Sequence, residues 1–129
     1  MREWVLHNYC GSRQTISDPE QVLTELEALG GEEEPTADLI HPSGDHLTIA
    51  VRGPFALIIF RRATLDPPYL SPIARGSGAE NSEAIEFSIG GTPTPVPRER
   101  CVPVKTMLEV VRHYLEHETL PEWIEWGEQ

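Results

Sequence analysis

The sequence predicts an α+β fold in which a mainly antiparallel sheet of about five or six strands packs against two helices. Two observations predict it. Short apolar runs separated by turn residues are typical of a strand meander, and two amphipathic segments are typical of helices. A length of 129 residues is close to the commonest size of one domain. We therefore expect residues 1–129 to form a single domain.

A strand and a helix are predicted first along the chain. Residues 3–9 alternate in polarity, with Trp4 and Leu6 on one face. A helix start follows at residues 17–20, where Ser17 supplies a capping hydroxyl and Pro19 a first-turn proline. The glycines at 30 and 31 end this helix. Its predicted buried stripe is Val22, Leu23, Leu26 and Leu29.

A meander is predicted over residues 37–41, 46–52 and 55–62. Residues 55–60 are apolar on both sides, which predicts a strand within the sheet that is covered on both faces. Residues 63–82 are rich in Pro, Gly, Ser and Asn, as in long connections that are functional or mobile. Within them only residues 68–73 could pair with the sheet. Residues 85–89 predict another strand, and the proline-rich run after it is interpreted as a connection.

The second helix is predicted to begin at Pro103 and to end before Leu120-Pro121. Residues 122–126 then alternate as a short final strand, with Trp123 and Glu125 facing outward. The buried stripe of the helix is predicted to contain Val104, Met107, Leu108, Val111 and Leu115.

The charge of the chain predicts a basic partner. Its 21 acidic residues outnumber the 10 Lys and Arg, which gives a formal charge of −11. Such a domain repels nucleic acid and anionic membranes, so we expect direct binding to neither. Without a signal peptide or a membrane span, the sequence predicts a cytoplasmic protein. Cys10 and Cys101 are interpreted as free thiols, and no cofactor or metal is predicted.

One catalytic pattern is present in the second helix. His113, Glu116 and His117 fit the HxxEH signature of inverted zinc metalloproteases. A catalytic zinc needs a third protein ligand and a shaped cleft, whereas the apolar stripe lies nearly opposite both histidines. We therefore expect these imidazoles to face solvent. His41 and His46, which flank a turn, form a second candidate for metal binding.

Acidic residues recur beside aromatic residues or proline, a combination suited to a protein interface. Tyr and Trp often anchor interfaces, and neighbouring carboxylates steer a basic partner. We expect the region from Asp66 to Glu86 to bind the partner, with Tyr69 as an anchor. The predicted contact residues are Asp66, Tyr69, Glu80, Glu83, Glu86, Trp123 and Glu125.

The chain also resembles a known family from about Ala37 to its end. The segment DPPYLS at residues 66–71, the strand ending in two glycines, the amphipathic helix and the closing LPEWIEW are similar to the first-numbered family of polymorphic-toxin immunity proteins. The resemblance implies a small cytosolic α+β protein without catalytic residues, encoded beside a secreted toxin of interbacterial competition. Many such toxins are nucleic-acid deaminases.

The sequence thus predicts a protein that neutralises a cognate toxin, for which a nucleic-acid deaminase is one candidate, by tight binding and occlusion of its cleft. Two other functions stay open at this point. One is a small metal-dependent hydrolase that uses His113, Glu116 and His117. The other is an adaptor or secretion chaperone that holds a basic partner for export.

Overall fold

The structure is a computed structural model, and it describes residues 3–8, 13–31, 35–64, 69–73, 84–89 and 91–128. Within these ranges the fold is α+β with a mostly antiparallel sheet, which confirms the predicted fold class. The helices are α1 (Pro19–Glu27) and α2 (Val104–His117). The strands are β1 (Trp4–Asn8), β2 (Arg13–Ile16), β3 (Thr36–Ile40), β4 (His46–Arg52), β5 (Phe55–Arg61), β6 (Leu70–Ile73), β7 (Ile85–Ile89), β8 (Thr92–Val96), β9 (Val102–Pro103) and β10 (Glu125–Glu128).

The described residues form a main sheet of eight strands, more than the five or six predicted. Seven follow the order β10-β6-β5-β4-β3-β1-β2 with antiparallel neighbours, and β9 pairs with the start of β5. Strands β4 and β5 pair along their whole length, from His46 opposite Arg61 to Arg52 opposite Phe55. The tight turn between them contains Gly53 at a φ of 58°, where glycine avoids the strain of a side chain.

Strand β5 is covered on both faces, as its sequence predicts. Ala56 and Ile58 belong to the core beneath the helices, whereas Leu57 belongs to a smaller cluster on the opposite face. Strand β4 shows the same division. Leu47, Ile49 and Val51 face the helices, and Ala50 lies in the opposite cluster.

The smaller cluster is covered by a β-hairpin that the sequence analysis did not predict. Strands β7 and β8 pair as a separate two-stranded sheet, and Phe87 is fully buried against Ala50 and Leu57. The Thr36 hydroxyl donates a hydrogen bond to the Ser88 carbonyl, which ties the hairpin to the main sheet. The interpretation of the proline-rich run as a mere connection was therefore wrong. Proline is compatible with an edge strand, and β8 is one.

Two details near the N-terminus also differ from the sequence analysis. Asp18, not Ser17, caps α1, because its carboxylate accepts a hydrogen bond from the Glu20 N–H at 3.0 Å. Strand β2 was missed. The buried stripe predicted for the first helix is confirmed, since Val22, Leu23 and Leu26 of α1 and Leu29 of the 3-10 turn that follows it are all buried.

The apolar face of α2 is rotated slightly from the predicted one. Its most buried side chains are Met107, Val110 and Val111, and Tyr114 is buried beside them. Val104 and Leu108, which were assigned to the buried stripe, are only partly buried. Leu108 lines a depression between α1 and α2, so its side chain is only partly covered. No helix in the described ranges is long and apolar enough to cross a membrane.

Replacing Met107 with Ala tests the orientation of α2. Met107 is fully buried in the core, so this change should lower the free energy of unfolding by about 2–5 kcal/mol. Its neighbour Leu108 is half-buried, and Leu108→Ala should cost less than half as much. Urea denaturation of both variants measures the difference, and a larger loss for Leu108→Ala would contradict the described orientation.

The rate at which the Cys101 thiol reacts tests how closely the hairpin packs on the main sheet. Cys101 is buried in the same cluster as Phe87, and burial raises its pKa to about 11, which keeps the thiol protonated at neutral pH. In a Cys10→Ser background, the folded protein should react with a thiol reagent far more slowly than the denatured chain. Phe87→Ala should speed the reaction by loosening the cover. Fast reaction of the Cys10→Ser protein with an intact hairpin would contradict this packing.

Candidate protein-binding surfaces

The structure places four of the seven predicted contact residues. Glu86 is exposed on β7, and Tyr69 is half-buried immediately before β6. Trp123 is exposed in the turn after α2, and Glu125 is exposed at the start of β10. Asp66, Glu80 and Glu83 lie outside the described residues.

These residues do not form one cluster. Glu86 belongs to the hairpin, which packs on the face of the main sheet opposite the helices. Trp123 lies beside α2 in the helical layer, where it lines the same depressions as His113 and His117. The structure therefore provides two candidate surfaces, one on the hairpin and one at α2.

Trp123 is the only large hydrophobic side chain that is exposed among the described residues, at 55% of its full accessible area. It borders two shallow depressions of about 290 Å³ and 450 Å³ on the outer side of α2. We call this area the Trp123 surface. Its residues are Glu109, Arg112, His113, Glu116, His117, Thr119, Leu120, Glu122 and Trp123.

The turn that carries Trp123 is anchored on both sides. Before it, Glu118 ends α2 in the left-handed region with a φ of 60°, and its carboxylate is hydrogen-bonded to the His41 imidazole. After it, the Trp126 indole donates a hydrogen bond of 3.0 Å to the Pro121 carbonyl. Leu120 and Ile124 pack against the main core. These contacts fix the backbone from which Trp123 projects.

His41 has a structural environment that the sequence analysis did not foresee. Its ring lies edge-on to Trp4 at 4.9 Å between centroids, and its Nδ1 is 2.7 Å from the Ser43 hydroxyl. Buried Tyr114 completes the cluster, and burial followed by the Asp45 and Glu118 charges raises its pKa. The hypothesis that His41 and His46 share a metal receives no support from this arrangement. The His41 nitrogens bond to Ser43 and Glu118, and His46 Nδ1 is buried without a hydrogen-bond partner.

Charges on the helical layer are partly paired. Arg112 donates to both carboxylate oxygens of Glu20, at 2.6 and 3.3 Å, and thereby joins α2 to α1. This guanidinium lowers the pKa of Glu20, and the Glu20 carboxylate raises that of Arg112. The Glu116 carboxylate lies 3.9 Å from Arg112 on the next helical turn. The single arginine of the Trp123 surface thus lies between two carboxylates.

The HxxEH residues form part of the same surface. The His113 and His117 rings are 4.6 Å apart between centroids, and Glu116 lies 4.0 Å from His117. His117 is exposed as predicted, but His113 is half-buried and not fully solvent-facing. Within the described ranges, no three His, Cys, Asp or Glu side chains are grouped so that they could hold a metal ion. These described residues therefore supply a histidine pair without a third ligand.

A comparison with protein families indicates the class of protein to which the chain belongs. The family model described as Immunity protein Imm1 matches residues 11–128, which is nearly the whole chain. The chain belongs to the Imm1 family of immunity proteins. The match confirms the resemblance noted from the sequence and extends it toward the N-terminus by more than twenty residues, over β2 and α1. No curated protein matches the chain.

Membership makes a toxin protein the partner of this immunity protein. Recognition from sequence depended in part on the terminal LPEWIEW motif, which lies within the described residues. The terminal LPEWIEW motif forms the anchored turn and the start of β10, so most of this motif is structural. Trp123 differs, because its indole points out of the fold.

His41 is expected to position the turn after α2. His41→Ala removes the bonds to Ser43 and Glu118 and the ring contact with Trp4, and should lower the free energy of unfolding by about 1–3 kcal/mol. Glu118→Gln should lower it less, since an amide can still bond to the imidazole. The indole N–H resonance of Trp123 should also shift in His41→Ala. An unchanged resonance would mean that the turn does not depend on His41.

Proposed function

We propose that this immunity protein neutralises its cognate toxin by binding it and covering its active or substrate-binding cleft, with no catalysis of its own. The toxin is proposed to be a nucleic-acid deaminase. Residues 1–129 are proposed to act as one domain that binds this toxin in the cytoplasm. The Imm1 family match, taken with the charge of −11, carries this proposal.

Electrostatics supports a toxin that acts on nucleic acid. An enzyme that grips a phosphate backbone surrounds its cleft with Lys and Arg. A protein with 21 acidic and 10 basic residues presents the opposite field, so it is attracted to such a cleft and competes with phosphate there. The same field keeps the immunity protein itself away from nucleic acid.

The hairpin side of the molecule is the proposed main interface. Glu86 projects from a strand that is fixed by the buried Phe87 next to it, so its carboxylate stands on a rigid support. Tyr69 precedes β6 and is half-exposed, as suits an interface anchor. The proposal also assigns toxin contacts to Asp66, Glu80 and Glu83, and additional contacts to Trp123 and Glu125.

Charge reversal tests this interface. The triple variant Glu80→Lys, Glu83→Lys and Glu86→Lys should protect poorly when it is co-expressed with the toxin domain encoded by the neighbouring gene, because it places positive charge against a basic cleft. A matched control reverses Glu3, which precedes β1, and Glu25 and Glu27 on α1, and so changes the net charge equally. Growth of the producing cells is the measurement, and the control should protect like the wild type.

Binding kinetics separate steering from anchoring. The triple variant should mainly lower the association rate, and its difference from the wild type should shrink as salt screens the charges. Tyr69→Ala should instead raise the dissociation rate, by the thirtyfold or so that corresponds to an interface hot spot of about 2 kcal/mol.

The other functions make different predictions in the same experiment. Full protection by a folded triple variant would place the interface elsewhere. Protection by far less than one immunity protein per toxin would indicate catalysis, as the hydrolase alternative requires. A stable complex in which the toxin stays active would indicate an adaptor or secretion chaperone.

A further inference from the structure

We propose that the Trp123 surface is a second docking surface, which takes an arginine or lysine side chain of the partner protein over the indole of Trp123. The inference relies on the proposed function only for the identity of that partner. The chemistry of the surface is independent of the hairpin interface, since the two lie on opposite faces of the main sheet.

The first argument is the exposure of the ring. A tryptophan that is 55% exposed leaves a large apolar surface in water, and no other large hydrophobic side chain in the described ranges does so. The depressions that it borders leave room for a side chain beside the ring. An indole is also the aromatic ring that attracts cations most strongly.

The second argument is that the turn is held in place before any partner binds. The carboxylate of Glu118 bonds to His41, and the Trp126 indole bonds to the Pro121 carbonyl on the other side of Trp123. Glu118 also adopts a left-handed conformation, which costs a non-glycine residue free energy. An anchored backbone reduces the entropy lost when a partner contacts Trp123, and so favours binding.

The third argument is the charge around the ring. The carboxylates of Glu109, Glu116 and Glu122 line the depressions beside Trp123. The one arginine there, Arg112, is already bonded to Glu20 and lies close to Glu116. A ring face among carboxylates favours a cationic group, which gains both a cation–π contact and charge-assisted hydrogen bonds.

The same charges argue against a second copy of this chain as the occupant. A symmetric dimer through this surface would bring together two identical acidic rims on molecules of charge −11. Like charges directly opposed across an interface are destabilising. The arrangement therefore favours a basic segment of another protein.

The test uses the whole protein labelled with 15N and a peptide of stated composition. The indole N–H resonance of Trp123 is assigned by its loss in Trp123→Phe, which distinguishes it from those of Trp4 and Trp126. A blocked hexapeptide of alternating glycine and arginine is the probe. The matched peptide with citrulline in place of arginine keeps the shape but removes the charge. The arginine peptide should shift the Trp123 resonance, and the citrulline peptide should not.

Variants then separate the ring from the general charge of the protein. Trp123→Ala should weaken binding of the arginine peptide about two- to fivefold, and Trp123→Phe should restore most of it. Glu122→Gln should weaken binding more than Glu3→Gln, although both remove one negative charge from an exposed position. Equal effects of these two variants, or equal binding of the citrulline peptide, would overturn the proposal. A Trp123 resonance that shifts with protein concentration alone would also overturn it and would indicate self-association.

Binding kinetics and co-expression with the toxin domain together test whether this surface contacts the toxin. This test does not depend on the hairpin interface. Trp123→Ala should raise the dissociation rate of the complex with the toxin domain, with Trp123→Phe close to the wild type. An unchanged dissociation rate in Trp123→Ala would overturn the docking role, while protection by the wild type would leave the proposed function intact. Failure of the wild type to protect would instead refute the proposed function, and the peptide titration would still stand as the test of the surface.

Discussion

The two-sided burial of β5 is the constraint on which the rest of the fold depends. A strand that is apolar on both faces is stable only if a layer covers each face, and here α1 and α2 cover one while the β7–β8 hairpin covers the other. Seven consecutive pairs with β4 fix its register, because a slip by one residue would send Ile58 to the side of Leu57. The positions of α2 and the hairpin, and hence of both candidate surfaces, follow from this strand.

Each covering layer carries a different kind of surface. The hairpin presents Glu86 on a strand held by Phe87, so in the proposed interface recognition there would depend on charge at a fixed position. The helical layer presents an aromatic ring on an anchored turn, so recognition there rests on shape and on a cation contact. A toxin that contacted both surfaces would be recognised by charge at the hairpin and by a single aromatic side chain at the Trp123 surface.

The sequence predicted correctly those strands in which the spacing of apolar residues follows one regular pattern. It failed where residues close in the chain favour a structure other than the one that tertiary contacts impose. The alternation in β4 and the apolar run in β5 predicted their places, because burial of one or both faces imposes that pattern. Strand β8 was missed because Pro93 and Pro95 are poor strand residues, and only the tertiary contact with β7 makes them acceptable. The turn that carries Trp123 was predicted as part of a strand. The neighbouring residues give no sign of the hydrogen bond between His41 and Glu118, which are 77 positions apart in the chain. The immunity family was recognisable because its motifs include the structural residues of that same turn.

The prolines of β8 also limit how the molecule can bind. A sheet edge usually invites another strand, because its backbone N–H and C=O groups are unpaired. Pro93 and Pro95 have no N–H to donate, so the outer edge of β8 cannot act as a template for an incoming chain. Partners that approach this edge must therefore be recognised by side chains and not by backbone pairing. Recognition by side chains can be altered by single substitutions, so specificity at this edge can change while the backbone pairing of the hairpin stays the same.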